Sequence, residues 1–310
     1  MIFIKKTIPY LLTLFMVLIM MGCSLLINNP EIIFPEIVTL TIGTWLAPKQ
    51  VWKTSPVKLV GLILIYSVLG IVMVKYVDIP LYLKITAAFF MCAVGLIMSH
   101  TTFSPLISAC LLPILMETES WIYPFSATLM TLIIVIIQSV LQHYKYQEYT
   151  FYRPVKVNPK KDTIILIERM IIIMVISAIA IYFDLKWLIA PPLIVAFVEI
   201  SHPQFPLKHQ LPSIYMLTVI MALIGAYSRH FLIIKYHFSF LGIVAAVMVI
   251  LFIVIGLTHI FFPPMGAITI LPFIIDPEYL LLYPVFIASS FLPLIIFACL
   301  ISFHGKSSLS

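Results

Sequence analysis

Two stretches of this chain set a histidine, a phenylalanine and a proline at one spacing and then close on Leu-Pro. They are HTTFSPLISACLLP, from His100 to Pro113, and HIFFPPMGAITILP, from His259 to Pro272. Proline is tolerated in the first turn of a helix, where no intrahelical N–H is lost. Phe103-Ser104-Pro105 and Phe262-Pro263-Pro264 therefore read as helix starts. A helix start carries free N–H groups and a partial positive charge, which together favour an anion. Ser108, Gly266 and Ala267 add little bulk just beyond, so a small solute could approach the backbone closely there. The same small residues have a second reading, in which they only let helices pack together. His100 and His259 open the two stretches, each as a solute contact, a proton relay or a plain interfacial histidine.

A carboxylate inside an apolar helix is the other candidate for chemistry. Glu199 lies late in a short apolar run, three residues before His202, a spacing that puts both on one helical face and suits proton coupling. Its alternative is a glutamate at the membrane boundary, close to solvent. Glu36, Glu168 and Arg169 are the remaining polar candidates, the last two expected to snorkel or to pair locally. There is no phosphate-binding loop, no His-Glu-x-x-His and no paired-cysteine metal spacing. No triad is evident either. The expectation is a protein that is not an enzyme and uses neither cofactor nor metal. Cys23, Cys92, Cys110 and Cys299 all fall within apolar stretches and read as packing thiols.

The elements that must hold these residues are set by composition. The chain is 63% hydrophobic and 10% charged over 310 residues, with mean hydropathy +1.16. A soluble domain is about a quarter charged. Apolar runs near 7–27, 57–77, 79–99, 121–142, 164–183, 212–232, 238–258 and 280–302 are each long enough to cross a bilayer. They are continuous rather than alternating, which predicts helices and excludes a barrel. Four shorter runs marked by proline lie near 31–47, 101–116, 186–200 and 259–275, as short spans or re-entrant half-helices. The fold class is an all-α polytopic membrane protein. The first segment resembles a lipoprotein leader in outline, but Met20-Met21 precede Gly22-Cys23 where small residues are wanted, and the run continues past the cysteine. It reads as the first transmembrane helix. Trp45, Trp52, Trp121 and Trp187 sit at run ends, as an aromatic belt would place them.

The one hydrophilic break, residues 143–163, separates a first transmembrane repeat (1–142) from a second (164–310). His100, Phe103, Pro105, Leu112 and Pro113 map onto His259, Phe262, Pro264, Leu271 and Pro272 at a constant shift of 159, and Pro35 and Pro56 map onto Pro191 and Pro212 at 156. Four long and two short segments per half make an even number of crossings, so the halves are parallel. If the short runs span, Lys5, Lys6, Lys49, Lys53, Lys58, Lys208, Lys306 and the basic linker share one side, opposite Glu117, Glu119, Asp276 and Glu278. If they re-enter, Lys49, Lys53 and Lys58 move to the other side; the positive-inside rule favours the spanning arrangement, although Lys75, Lys84, Arg229 and Lys235 lie with the acids, and it puts both termini in the cytoplasm of a cell that carries the protein in its plasma membrane.

At Thr258 to Thr269, THIFFPPMGAIT, the sequence resembles the HPP family of bacterial and plastid membrane proteins. Thr258-His259 match the family's leading pair, Pro263-Pro264 its prolines, and Gly266-Ala267 its small residues, while Phe262 stands where the name-giving histidine would be. APPLIVAFVEISHP, from Ala190 to Pro203, matches an earlier proline-led helix of the family, though Pro192, Leu193 and Ile194 replace its small residues. The match covers 164–302, and the first half reads as a more diverged copy. Plant and cyanobacterial members are implicated in nitrite transport. The resemblance therefore implies a transporter or channel for a small solute, with a small anion such as nitrite leading, and a site between the short helices. The other reading is a non-transporting scaffold or regulatory subunit that docks through its basic linker, a segment that also suits a phospholipid surface. Expected partners are the solute and the lipid bilayer, with room for a homo-oligomer and no nucleic acid.

Overall fold

A computed structural model describes residues 2–147, 152 and 154–307, with side chains from 7 to 303. Glu148 and Arg153 of the linker, and the side chains of Lys5, Lys6 and Lys306, fall outside the described residues. The described residues form helices and no strand. Eight helices are long and apolar enough to cross a membrane. They are α1 (Ile2–Ile27), α3 (Pro56–Tyr76), α4 (Leu81–Met98), α6 (Ile122–His143), α7 (Pro159–Tyr182), α9 (Leu211–Tyr227), α10 (Phe240–Thr258) and α12 (Tyr283–Ser307). Four short ones lie between them: α2 (Glu36–Thr41), α5 (Pro105–Leu115), α8 (Pro191–Ile200) and α11 (Pro263–Ile270). Every residue of the four short helices is buried, whereas the long helices keep large apolar side chains such as Phe15, Ile136, Ile179 and Leu257 exposed. The long helices thus form a lipid-compatible wall around a core of short ones.

Prolines start the short helices where the sequence predicts: Pro105 and Pro263 each occupy the first turn. Side-chain contacts tie helix ends together. Thr118, past the end of α5, donates to Glu31, just before α2. Gln147, past α6, donates to the carbonyl of Thr44 at the far end of α2 (2.9 Å). Lys58, opening α3, donates to Ser99 O after α4 (2.8 Å). The start of α2 thus lies beside the end of α5, and its far end beside the end of α6. Lys53, Lys161, Arg169 and Lys208 lie around His202, and Asp184, Asp276 and Glu278 around Tyr279, while Lys84 lines a cavity with Glu117 and Glu119 and Arg229 lies near Asp276.

The same contacts recur in both halves. Tyr123 donates to Ala109 O (3.1 Å), and Tyr283 to Ile268 O (2.9 Å). A Cβ on Gly70 would meet Cys110 O at 2.4 Å, and one on Gly225 would meet Thr269 O at 2.2 Å. Helix ends repeat as well: Asn28 and Asp184 (φ 53° and 58°), and His100 and His259 (φ 54° and 55°), are left-handed residues that stop a long helix. Across the halves, α4 packs on α7 as α10 packs on α1, and α5 on α8 as α11 on α2. The shift grows from 156 at Pro56 to 159 at His100, and α9 continues into a π-helical stretch, Ser228–Lys235, where additional residues fit.

Several side chains sit differently from expectation. Trp45, Trp52 and Trp187 are buried in the core and only Trp121 is exposed (49%), because the short helices bring their run ends inward. Cys92 and Cys110 pack internally, but Cys299 is exposed on α12. Arg169 does not pair with its neighbour alone: it donates to Ser201 Oγ (2.9 Å) and Val198 O (3.0 Å), capping the end of α8.

Candidate functional site

The short helices meet at a small polar cluster inside an apolar core. Glu36 opens α2, in the first turn where a carboxyl suits the helix dipole. It is 1% exposed, and its Oε1 accepts from Ser108 Oγ of α5. Its other oxygen, Oε2, is buried with no hydrogen-bond partner. Ser104 begins α5 one turn before Ser108, so both hydroxyls lie on one stripe of the helix. Ser104 Oγ donates to Glu199 Oε1 at 2.6 Å. Glu199 belongs to α8 and is 9% exposed. The same Oε1 accepts from the Trp52 indole Nε1 at 2.8 Å.

Trp52 reaches Glu199 because of how α2 ends. The helix widens into a π-helical turn, Ile42–Leu46, and the chain folds back so that Val51 N donates to Gly43 O (3.1 Å). The indole then lies flat on Gly43, where a Cβ would come within 2.3 Å of the ring. Phe103 packs edge-on against the indole, with ring centroids 5.5 Å apart. Thr39 of α2 ties the fourth short helix in by donating to Pro263 O at 3.1 Å. All four short helices are thereby joined through polar contacts. With Ser104 and Ser108 at 2% and 0% exposure, the cluster is sealed from both faces.

Of the residues singled out from the sequence, Ser104, Ser108 and Glu199 come together here. His100 and His259 do not. Both are exposed at helix ends, and His100 contacts Val155 O of the linker through Nδ1 (3.1 Å). His202 does not share a helical face with Glu199. The helix stops at Ile200, and the imidazole Nδ1 turns to accept from Gln204 N (3.2 Å). Burial pushes the His202 imidazole down to about 4, helped by the positive charges of Arg169, Lys53, Lys208 and Lys161. Lys53, the neighbour of Trp52, is among them. Pro263, Pro264, Gly266 and Ala267 are all buried in α11. A Cβ on Gly266 would meet Val38 Cγ1 at 2.6 Å and Ile42 Cδ1 at 2.7 Å, so its bareness lets α11 pack against α2. In this conformation no ligand approaches it.

Sequence reasoning placed Glu36 among the polar candidates without a partner and read Trp52 as an interfacial aromatic. Their partners lie 72 and 147 positions away, beyond any local pattern. The Pro-Glu at the start of α2 is the only local signal. Among the described residues there is no group of His, Cys, Asp or Glu suited to a metal ion. No family model matches the sequence, and neither a curated protein nor a solved structure matches the chain.

Proposed function

We propose that this membrane protein is a secondary transporter or channel for a small anion, and that the solute passes through the core of four short helices. The observation that carries the reading is the sealed Glu36–Ser108 and Ser104–Glu199 cluster, formed where short helices from both halves meet. Short or broken helices at corresponding places in two halves are where transporters build their sites. A tightly packed helical structural protein has no need of buried acids, which are costly in a hydrocarbon setting. The cations around His202 favour the approach of a negative solute. The HPP-like stretch at Thr258 to Thr269 supports the same reading and makes nitrite the first solute to try.

The duplicated order of elements fits two parallel repeats from one ancestral half. By the positive-inside rule, the face with Lys49, Lys53 and Lys58 is cytoplasmic, and both termini share it. The linker is a weaker basis for a scaffold, because it is engaged in the protein itself. Tyr152 donates to His100 O (3.0 Å) and receives from Lys58 Nζ (3.1 Å), and Val155 N donates to His100 O (3.0 Å).

Nitrite uptake by vesicles containing the purified protein tests the proposal, with Trp52→Ala and Ser104→Val as variants. Uptake above empty vesicles, reduced by both variants, is the expected result. A folded protein that moves neither nitrite nor other small anions returns the scaffold reading to first place.

A further inference from the structure

Glu36 is unusual for what surrounds it. The phenols of Tyr123 on α6 and Tyr283 on α12, which occupy equivalent places in the two halves, both lie within its electrostatic reach. Among the described residues no positive charge faces it. The other helices around α2 are α1, α5 and α11. Helices α5 and α11 contain no charged residue, and the only cations in α1 are Lys5 and Lys6 at its opposite end. Glu199 is likewise met by neutral groups, Ser104 and Trp52. Its closest cations are engaged elsewhere: Arg169 with Val198 O and Ser201, and Lys208 with Pro203 O and Ser302. Lys53 follows Trp52 on the exposed side of the strap, and His202 turns to its own loop. An isolated charge in such surroundings neutralises rather than remains ionised.

We propose that Glu36 and Glu199 are the proton-carrying acids of the transport cycle, held neutral in the sealed conformation and both releasing their protons to the same face when the core opens there. This rests on the transport reading above. In each release the carboxyl O–H bond breaks, the proton passes to water on the open side and the electron pair stays on the carboxylate. Recharging takes a proton from water on the other side, so one proton is carried per acid in each turn of the cycle.

Infrared spectra of the reconstituted full chain, taken across neutral pH, read the protonated carboxyls directly and need no solute. The expected result is a carbonyl band of protonated carboxyl at neutral pH. One part of it is lost in Glu36→Gln and a different part in Glu199→Gln. In Ser108→Ala, which keeps both acids, the Glu36 part moves to higher frequency because its carbonyl loses a donor. A neutral-pH spectrum without the band overturns the proposal. So does a band that neither Gln variant diminishes and Ser108→Ala does not move. The second arm loads vesicles with a pH indicator and follows nitrite under a pH gradient or a sodium gradient. Nitrite movement accompanied by protons in the wild type, and uncoupled from them in Glu36→Gln or Glu199→Gln, is expected. Movement driven by sodium and indifferent to pH overturns the coupling. If nitrite moves under neither gradient while the band stands, the transport reading fails and the carrier role falls with it, but the two neutral acids remain.

Discussion

Adding one methyl group at Gly70 and at Gly225 tests whether both halves are held by the same backbone approach. The ideal Cβ at Gly70 falls 2.4 Å from Cys110 O and 2.6 Å from Pro113 Cγ. At Gly225 it falls 2.2 Å from Thr269 O, with Pro272 Cγ at an ordinary 3.4 Å. A carbonyl oxygen within a helix cannot swing aside, so α3 must back away from α5, and α9 from α11. Forcing one extra methyl into a packed core costs roughly 1–3 kcal/mol. Gly61 and Gly256 supply internal controls on α3 and α10, since nothing lies within 4 Å of a Cβ at either. There alanine gains only the helix preference of about 1 kcal/mol.

Gly70→Ala is therefore expected to fall below Gly61→Ala by about 1–3 kcal/mol, and Gly225→Ala below Gly256→Ala by a similar amount. The deficit at Gly70 should be the larger, because the ring of Pro113 closes the one direction in which the methyl could relax. Each kcal/mol is worth roughly 2–4 °C in a chain of this order of size. Thermal unfolding of the four variants in one detergent, followed by tryptophan fluorescence, reads the differences. If Gly70→Ala and Gly225→Ala melt with their controls, the close approach is not what holds the short helices, and the matched geometry of the halves has been misread. A loss confined to one half would refute the equivalence alone.

Three further outcomes are expected. The His202 imidazole is pushed from its usual 6.5 to about 4, so the unfolded chain takes up its proton first; stability present above 6.5 should be lost as pH falls toward 4, and His202→Gln should flatten that loss in a pH series of melting curves. Cysteines placed at Lys160 and Glu119 should label from opposite sides of the membrane, and labelling from one side would break the even-crossing topology. His100→Gly and His259→Gly should each stabilise by up to about 1 kcal/mol, since both hold left-handed backbone that glycine adopts freely; a loss of stability would show that the imidazoles do more than end a helix.

Much of the architecture was legible because its signals are local. Run length separates the helices that cross a full bilayer from those that do not, and Pro105 and Pro263 announce their own helix starts. The choice between crossing and re-entry was not legible, because it depends on which ends meet: Thr118 with Glu31, Gln147 with Thr44, Lys58 with Ser99. The three buried tryptophans misled for a related reason. Position at the end of an apolar run means an interface only when the run is a full span, and Trp45, Trp52 and Trp187 end or precede short ones. Ser108 was visible as a small residue, but nothing within its own helix tells that its hydroxyl meets a glutamate from α2.

The polar cluster also changes which half carries the chemistry. In the second half Pro263 and Ala267 stand at the places held by Ser104 and Ser108 in the first. At a shift of 156, Pro192 answers to Glu36 and Gly43 answers to Glu199. The halves therefore share their backbone plan and divide the rest. The first half supplies both hydroxyls, one acid and the indole, and the second supplies one acid. Helix α11, with its prolines and bare Gly266, packs against α2 and keeps Glu36 walled off from solvent. The core thereby holds two acids on different helices, each met by a hydroxyl of α5, and neither has a counterpart at the equivalent place in the other half.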